Sequence, residues 1–191
     1  MSVKNTYKSF AVILTLGISL LACSKVEKAE VNDDRLNKPY CNDPEAINYN
    51  WDFPGIPDNT TCFFPLEIFQ GTYLFRDTVL DNDFQPVDTT AFNIKLFGLS
   101  ASKIKIGITG FCQSETLKLT ADRFYKAYLD STVVNVNGFD SKLTGQLMCS
   151  VKDTASGFIQ KSQTDSNKLT IFFTVATDTG YSYHKGTAIK Q

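Results

Sequence analysis

The sequence predicts an all-β protein in which an antiparallel meander closes into a barrel, or alternatively stacks as a β-sandwich, behind a small disulfide-tied loop module. Three observations carry this. Apolar residues alternate with a period of two: Ile104, Ile106 and Ile108 interleave with Lys103, Lys105 and Gly107, and Leu169, Ile171, Phe173 and Val175 with Thr170, Phe172 and Thr174. Turn formers punctuate the pattern at Asp81-Asn82-Asp83, Asn137-Gly138 and Asp178-Thr179-Gly180. Cys41 and Cys62 bracket a segment with too few aliphatic residues to build a core of its own.

Residues 1–22 have the layout of a signal peptide, with a basic head (Lys4, Lys8) followed by the apolar run Phe10–Leu21. At about 1.5 Å per residue that run is too short to span roughly 30 Å of hydrocarbon. It ends in Leu20-Leu21-Ala22-Cys23, which resembles the lipobox of bacterial lipoproteins. The resemblance implies cleavage before Cys23 and lipidation of its thiol, the alternative being an ordinary thiol behind a plain signal peptide. Several acyl chains, each contributing about 0.8 kcal/mol per buried CH₂, would make the membrane a near-permanent partner. Ser24 resembles the signal for transfer to an outer membrane, which places the anchored chain there, on the periplasmic face or the cell surface. Residues 23–38 are polar and charged and read as a flexible tether.

Removing residues 1–22, with their two lysines and no acids, takes the formal charge from −1 to −3. No basic patch or basic helix points to nucleic acid. Of five cysteines, lipidation accounts for Cys23, which leaves Cys41, Cys62, Cys112 and Cys149 as two pairs in an oxidising compartment. Three pairings exist. The local one, Cys41 with Cys62 and Cys112 with Cys149, is the expectation, because each bridge then closes within one module. No two cysteines have zinc-site spacing, and the single histidine is distant.

The module spans residues 39–63. Asp43-Pro44 suits the start of a helical turn. The oxygens of Asp43, Asn48, Asn50, Asp52 and Asp58 are hard ligands of the kind calcium takes, yet their spacing is not that of an EF-hand and the same residues are ordinary turn formers. Turn chemistry is the preferred reading, with no metal or cofactor assigned. Tyr49, Trp51 and Phe53 are expected to pack the module on its neighbour rather than to bind sugar. Cys41, Asp43, Pro44, Ala46, Asn48, Tyr49 and Cys62 together resemble a short motif of exported Bacteroidota proteins, from which Pro54-Gly55-Ile56-Pro57 departs.

The β domain spans residues 64–191, with further strands expected over residues 72–78, 92–99, 117–119, 131–137, 143–151, 157–161 and 182–190. In residues 121–130, Phe124, Tyr125, Tyr128 and Leu129 sit at helical spacing, but aromatic content and the following Thr132-Val133-Val134 favour strand. Phe69-Gln70-Gly71-Thr72-Tyr73 at the first strand and Tyr183-His184-Lys185-Gly186-Thr187-Ala188 at the last resemble the lipocalin-like domains of Bacteroidota lipoproteins, although Tyr73 stands near where lipocalins carry a tryptophan. That resemblance implies a barrel with a small apolar ligand in its mouth.

Catalysis has little support: His184 reads as an ordinary strand residue, and no serine sits in a nucleophile elbow. The sequence therefore points to a non-catalytic domain that binds a small apolar ligand or a protein partner. A structural or adhesive surface protein without a small ligand is the alternative. Asp77-Thr78-Val79, Asp88-Thr89-Thr90, Asp130-Ser131-Thr132 and Asp153-Thr154-Ala155 resemble three-residue O-glycosylation sites of exported Bacteroidota proteins, and equally fit solvated turns.

Overall fold

The structure, a computed structural model, describes residues 33–111, 115–136, 138–142, 145–148 and 153–191. Cys23, Cys112 and Cys149, and with them the expected signal peptide and the second expected disulfide, lie outside the described residues. The chain divides into two units, residues 1–34 and 35–191, and the second contains both the loop module and the β domain.

The module is built from turns. A 3₁₀ turn over Asp34–Asn37 precedes β1 (Pro39–Tyr40), which pairs in parallel with β2 (Ile56–Pro57). Cys41 is bonded to Cys62 as expected, and with Ala46 and Phe64 they form a small buried cluster. The bridge closes a loop of sequence separation 21, for which chain entropy predicts a contribution of about 3 kcal/mol. Cys41→Ala with Cys62→Ala is therefore expected to loosen the module and leave the barrel folded. Limited proteolysis should then cut within residues 42–61 well before the strands.

Eight strands form the closed antiparallel barrel. They are β3 (Gly71–Leu80), β4 (Pro86–Gly98), β5 (Lys105–Thr109), β6 (Leu117–Ala121), β7 (Lys126–Leu129), β11 (Thr154–Lys161), β12 (Lys168–Thr177) and β13 (Gly180–Lys190). Between β7 and β11 come a separate hairpin, β8 (Val133–Val136) with β9 (Phe139–Lys142), and the short β10 (Gln146–Leu147) beside β11. Each barrel strand pairs with the next, β7 pairs with β11, and β13 returns to β3 from Lys190↔Tyr73 to Tyr183↔Leu80. That last ladder removes the open edges a sandwich would keep, so the barrel and not the sandwich is adopted.

The period-two pattern becomes the barrel interior. Phe75, Ile94, Leu96, Ile106, Ile108, Leu119, Ile159, Leu169, Ile171 and Phe173 are buried in one cluster. Residues 121–130 form the β6–β7 hairpin rather than a helix, because the Asp122 carboxylate accepts the backbone N–H groups of Phe124 (2.8 Å) and Lys126 (3.1 Å) and Tyr125 takes a φ of 66°. One element escaped the sequence reading. A five-residue helix, α1 (Pro65–Phe69), precedes β3 with proline in its first turn, and its Phe69 and Leu66 join the core. Leu66 lies so close to Gly98 that a Cβ there would meet Leu66 Cδ2 at 2.8 Å.

Where β3 begins, the Tyr73 hydroxyl donates to the Phe69 carbonyl at 2.9 Å and accepts from Lys161 Nζ at 3.3 Å. Burial pushes the Tyr73 hydroxyl up to about 12. Burial, and next the charge of Lys190, lowers Lys161, while Asp165 pulls it the other way. A pKa raised on folding means that the folded state keeps a proton the unfolded chain has lost. Tyr73 thus contributes stability that is complete below pH 10 and fades towards pH 12. In Tyr73→Phe this alkaline loss should shrink, read as the difference between the two proteins' denaturant midpoints across that window.

Candidate functional site

On β3 the side chains that alternate towards the interior are Tyr73, Phe75, Asp77 and Val79, and on β13 they are Ser182, His184, Gly186 and Ala188. The β13–β3 register sets Asp77 against Gly186 and His184 against Val79, so Asp77 and His184 are diagonal neighbours. Asp77 Oδ2 lies 2.6 Å from His184 Nδ1, and His184 Nε2 lies 3.5 Å from Ser182 Oγ. If Nδ1 carries the proton given to the carboxylate, Nε2 is left as an acceptor for the Ser182 hydroxyl. Asp77 is 2% exposed, and its second oxygen, Oδ1, is buried without a hydrogen-bond partner. The His184 side chain retains 20% of its accessible surface.

Four phenylalanines pack beside this polar group. Phe75 meets Phe92 at 5.4 Å and Phe111 at 5.7 Å between ring centroids, and Phe111 meets Phe92 at 5.5 Å and Phe173 at 5.3 Å. Gly186 makes this possible, since a Cβ there would meet Phe75 Cε2 at 2.8 Å. A small-ligand carrier would line a cavity with inward Phe, Tyr and Ile residues, and a structural or adhesive protein would fill its core with them. Here many of them pack on one another, and the Asp77 group lies on the mouth side of Phe75, towards the end of β3 at Leu80.

Asp77, His184 and Ser182 are the residue types of hydrolytic triads. However, Ser182 Oγ lies 3.5 Å from Nε2, longer than an ordinary O–H hydrogen bond, so the serine is held only loosely against the imidazole. What the group does offer is an acceptor: Oδ1 in an apolar setting.

The sequence reading missed this site. His184, an ordinary strand residue by its sequence pattern, is bonded to a buried carboxylate 107 positions away. The available signal was a charged residue in the apolar phase of β3, at the third step of Tyr73, Phe75, Asp77, Val79. Of the tripeptides that resemble glycosylation sites, Asp77-Thr78-Val79 has its aspartate buried and its threonine half-buried, whereas Asp88, Thr89 and Thr90 are exposed.

The five candidate calcium residues are spread over local turns. The Asp43 carboxylate accepts from Glu45 N at 3.0 Å, Asn48 Oδ1 from Phe63 N at 3.0 Å, and Asp58 Oδ1 from Thr60 N at 2.9 Å and Thr60 Oγ1 at 2.6 Å. Those two bonds from Thr60 lower the Asp58 pKa. Asn50 has a φ of 58° and a buried, unpartnered Oδ1, and Asp52 accepts Gly55 N through its backbone carbonyl. Among the described residues no three His, Cys, Asp or Glu side chains gather as a metal site. The module aromatics also depart from expectation: Trp51 is 62% and Phe53 57% exposed, edge-on to Phe63 and Tyr40 of the module's own surroundings. Tyr49 meets the barrel beneath Arg123. The chain matches no protein-family model, no curated protein and no solved structure.

Proposed function

We propose that this protein is an exported lipoprotein, anchored in the outer membrane through Cys23, whose barrel holds a small apolar molecule bearing one hydrogen-bond donor and performs no catalysis on it. The observation that carries the ligand reading is the orphaned Oδ1 of Asp77 on the inward face of β3. Withdrawing a carboxylate from water costs several kcal/mol, and a Val or Ile in its place would suit the core better. A buried carboxylate with one oxygen paired and one vacant is suited to a ligand N–H or O–H, and the adjoining Phe92 and Phe111 rings suit an apolar body. The signal-peptide layout and lipobox support the anchor, and the resemblance to lipocalin-like lipoproteins supports a ligand at the barrel mouth. The packing of the barrel interior favours a second reading, a structural or adhesive surface protein that uses its exposed loops.

N-phenyl-1-naphthylamine, an apolar fluorophore with a single N–H, separates the two. The carrier reading expects its emission to rise on binding, and Asp77→Asn to weaken binding about tenfold, since a hydrogen bond to a charged acceptor exceeds a neutral one by about 1 kcal/mol or more. A fluorophore that stays dark with the unmodified protein sinks the carrier reading and leaves the structural one. The anchor is tested separately: Cys23→Ala should release the protein from membranes.

A further inference from the structure

At the other end of the barrel, the β6–β7 turn and the loop module face one another across a groove of about 460 Å³, lined in part by Tyr49, Asn50, Trp51, Arg123, Phe124 and Gln163. We propose that this groove binds an acidic saccharide of the uronate type, its carboxylate on Arg123 and its apolar face against Trp51 and Phe124. The volume falls in the range of small-molecule sites, about 300–1,000 Å³. The Arg123 guanidinium carbon is 5.1 Å from the Tyr49 ring centre and 5.0 Å from that of Phe124, so both rings are within cation–π range. A guanidinium held near aromatic rings can still grip a carboxylate with two parallel bonds from its planar fork.

Charge complementarity calls for an anion, because among the described residues Arg123 has no carboxylate within ion-pair distance. The aromatic exposure calls for a partner with a flat apolar face, since Trp51 is 62% and Phe124 64% exposed on the groove. Asn50 and Gln163 add amide groups of the sort that meet hydroxyls, and Asn50 Oδ1 has no donor at present. A uronate combines all three requirements: a carboxylate, a C–H face and hydroxyl donors. An acidic peptide meets the first of these but lacks the ring of hydroxyls.

The test is calorimetric titration of the mature chain with tetragalacturonate, with maltotetraose and tetraglutamate as controls. The expected result is binding of tetragalacturonate at least tenfold tighter than either control. Arg123→Gln and Trp51→Ala should each weaken it tenfold or more with an unchanged unfolding temperature, and Arg123→Lys should fall between, keeping the charge without the planar fork. Asp77→Asn, at the opposite end of the barrel, should leave it unaltered. Absence of tetragalacturonate binding, equal binding of either control, or full binding by Arg123→Gln overturns the proposal.

Discussion

Replacing Phe75 with alanine is expected to lower the unfolding free energy by about 3–5 kcal/mol, the range for truncating a fully buried phenylalanine. Phe75 is fully buried, it packs on Phe92 and Phe111, and its ring fills the space left by Gly186 on β13. Its removal withdraws ring area from a region held between two laddered strands, where the backbone cannot collapse to fill the void. Denaturant unfolding at constant m-value measures the loss. A change below about 1 kcal/mol would mean that the neighbouring rings close over the site, and with it that the interior is more pliable than its packing implies.

Removing His184 as His184→Val is expected to cost about 3 kcal/mol, because it leaves the Asp77 carboxylate buried with neither oxygen paired. The double variant Asp77→Val with His184→Val should recover most of that loss, since two well-packed apolar groups replace a hydrogen-bonded polar pair whose burial was costly. The two residues then show a coupling of the kind only direct partners have. The same double variant should lose the fluorophore binding of the native protein. Stability regained with ligand binding lost would assign the pair to function rather than to folding, whereas a double variant less stable than His184→Val would assign it to the fold.

The barrel was legible because a strand with one buried face writes itself into the sequence at a period of two, and Ile104, Ile106 and Ile108 carry that image plainly. The turn at Asp178-Thr179-Gly180 and the bridge from Cys41 to Cys62 were legible for a related reason: both are settled by chain conformation over short separations. Helix α1 was not, since five residues complete too little of a helical period to be distinguished from the start of a strand. The exposure of Trp51 and Phe53 was not either, because an aromatic residue in a small module has the same appearance whether it packs or waits for a partner.

By itself, then, the sequence determined the class of fold, the positions of most strands and turns, and a local disulfide; these follow from rules that act along neighbouring residues. Only the tertiary structure decided that the meander closes as a barrel, that Asp77 meets His184 across 107 positions, and that Arg123 stands over Tyr49 beside Trp51. Those pairings depend on the return of β13 to β3 and on the seat of the module against the β6–β7 turn. Neither leaves a periodic mark in the chain, because contacts between distant segments are chosen by the burial of whole faces rather than by any residue's near neighbours.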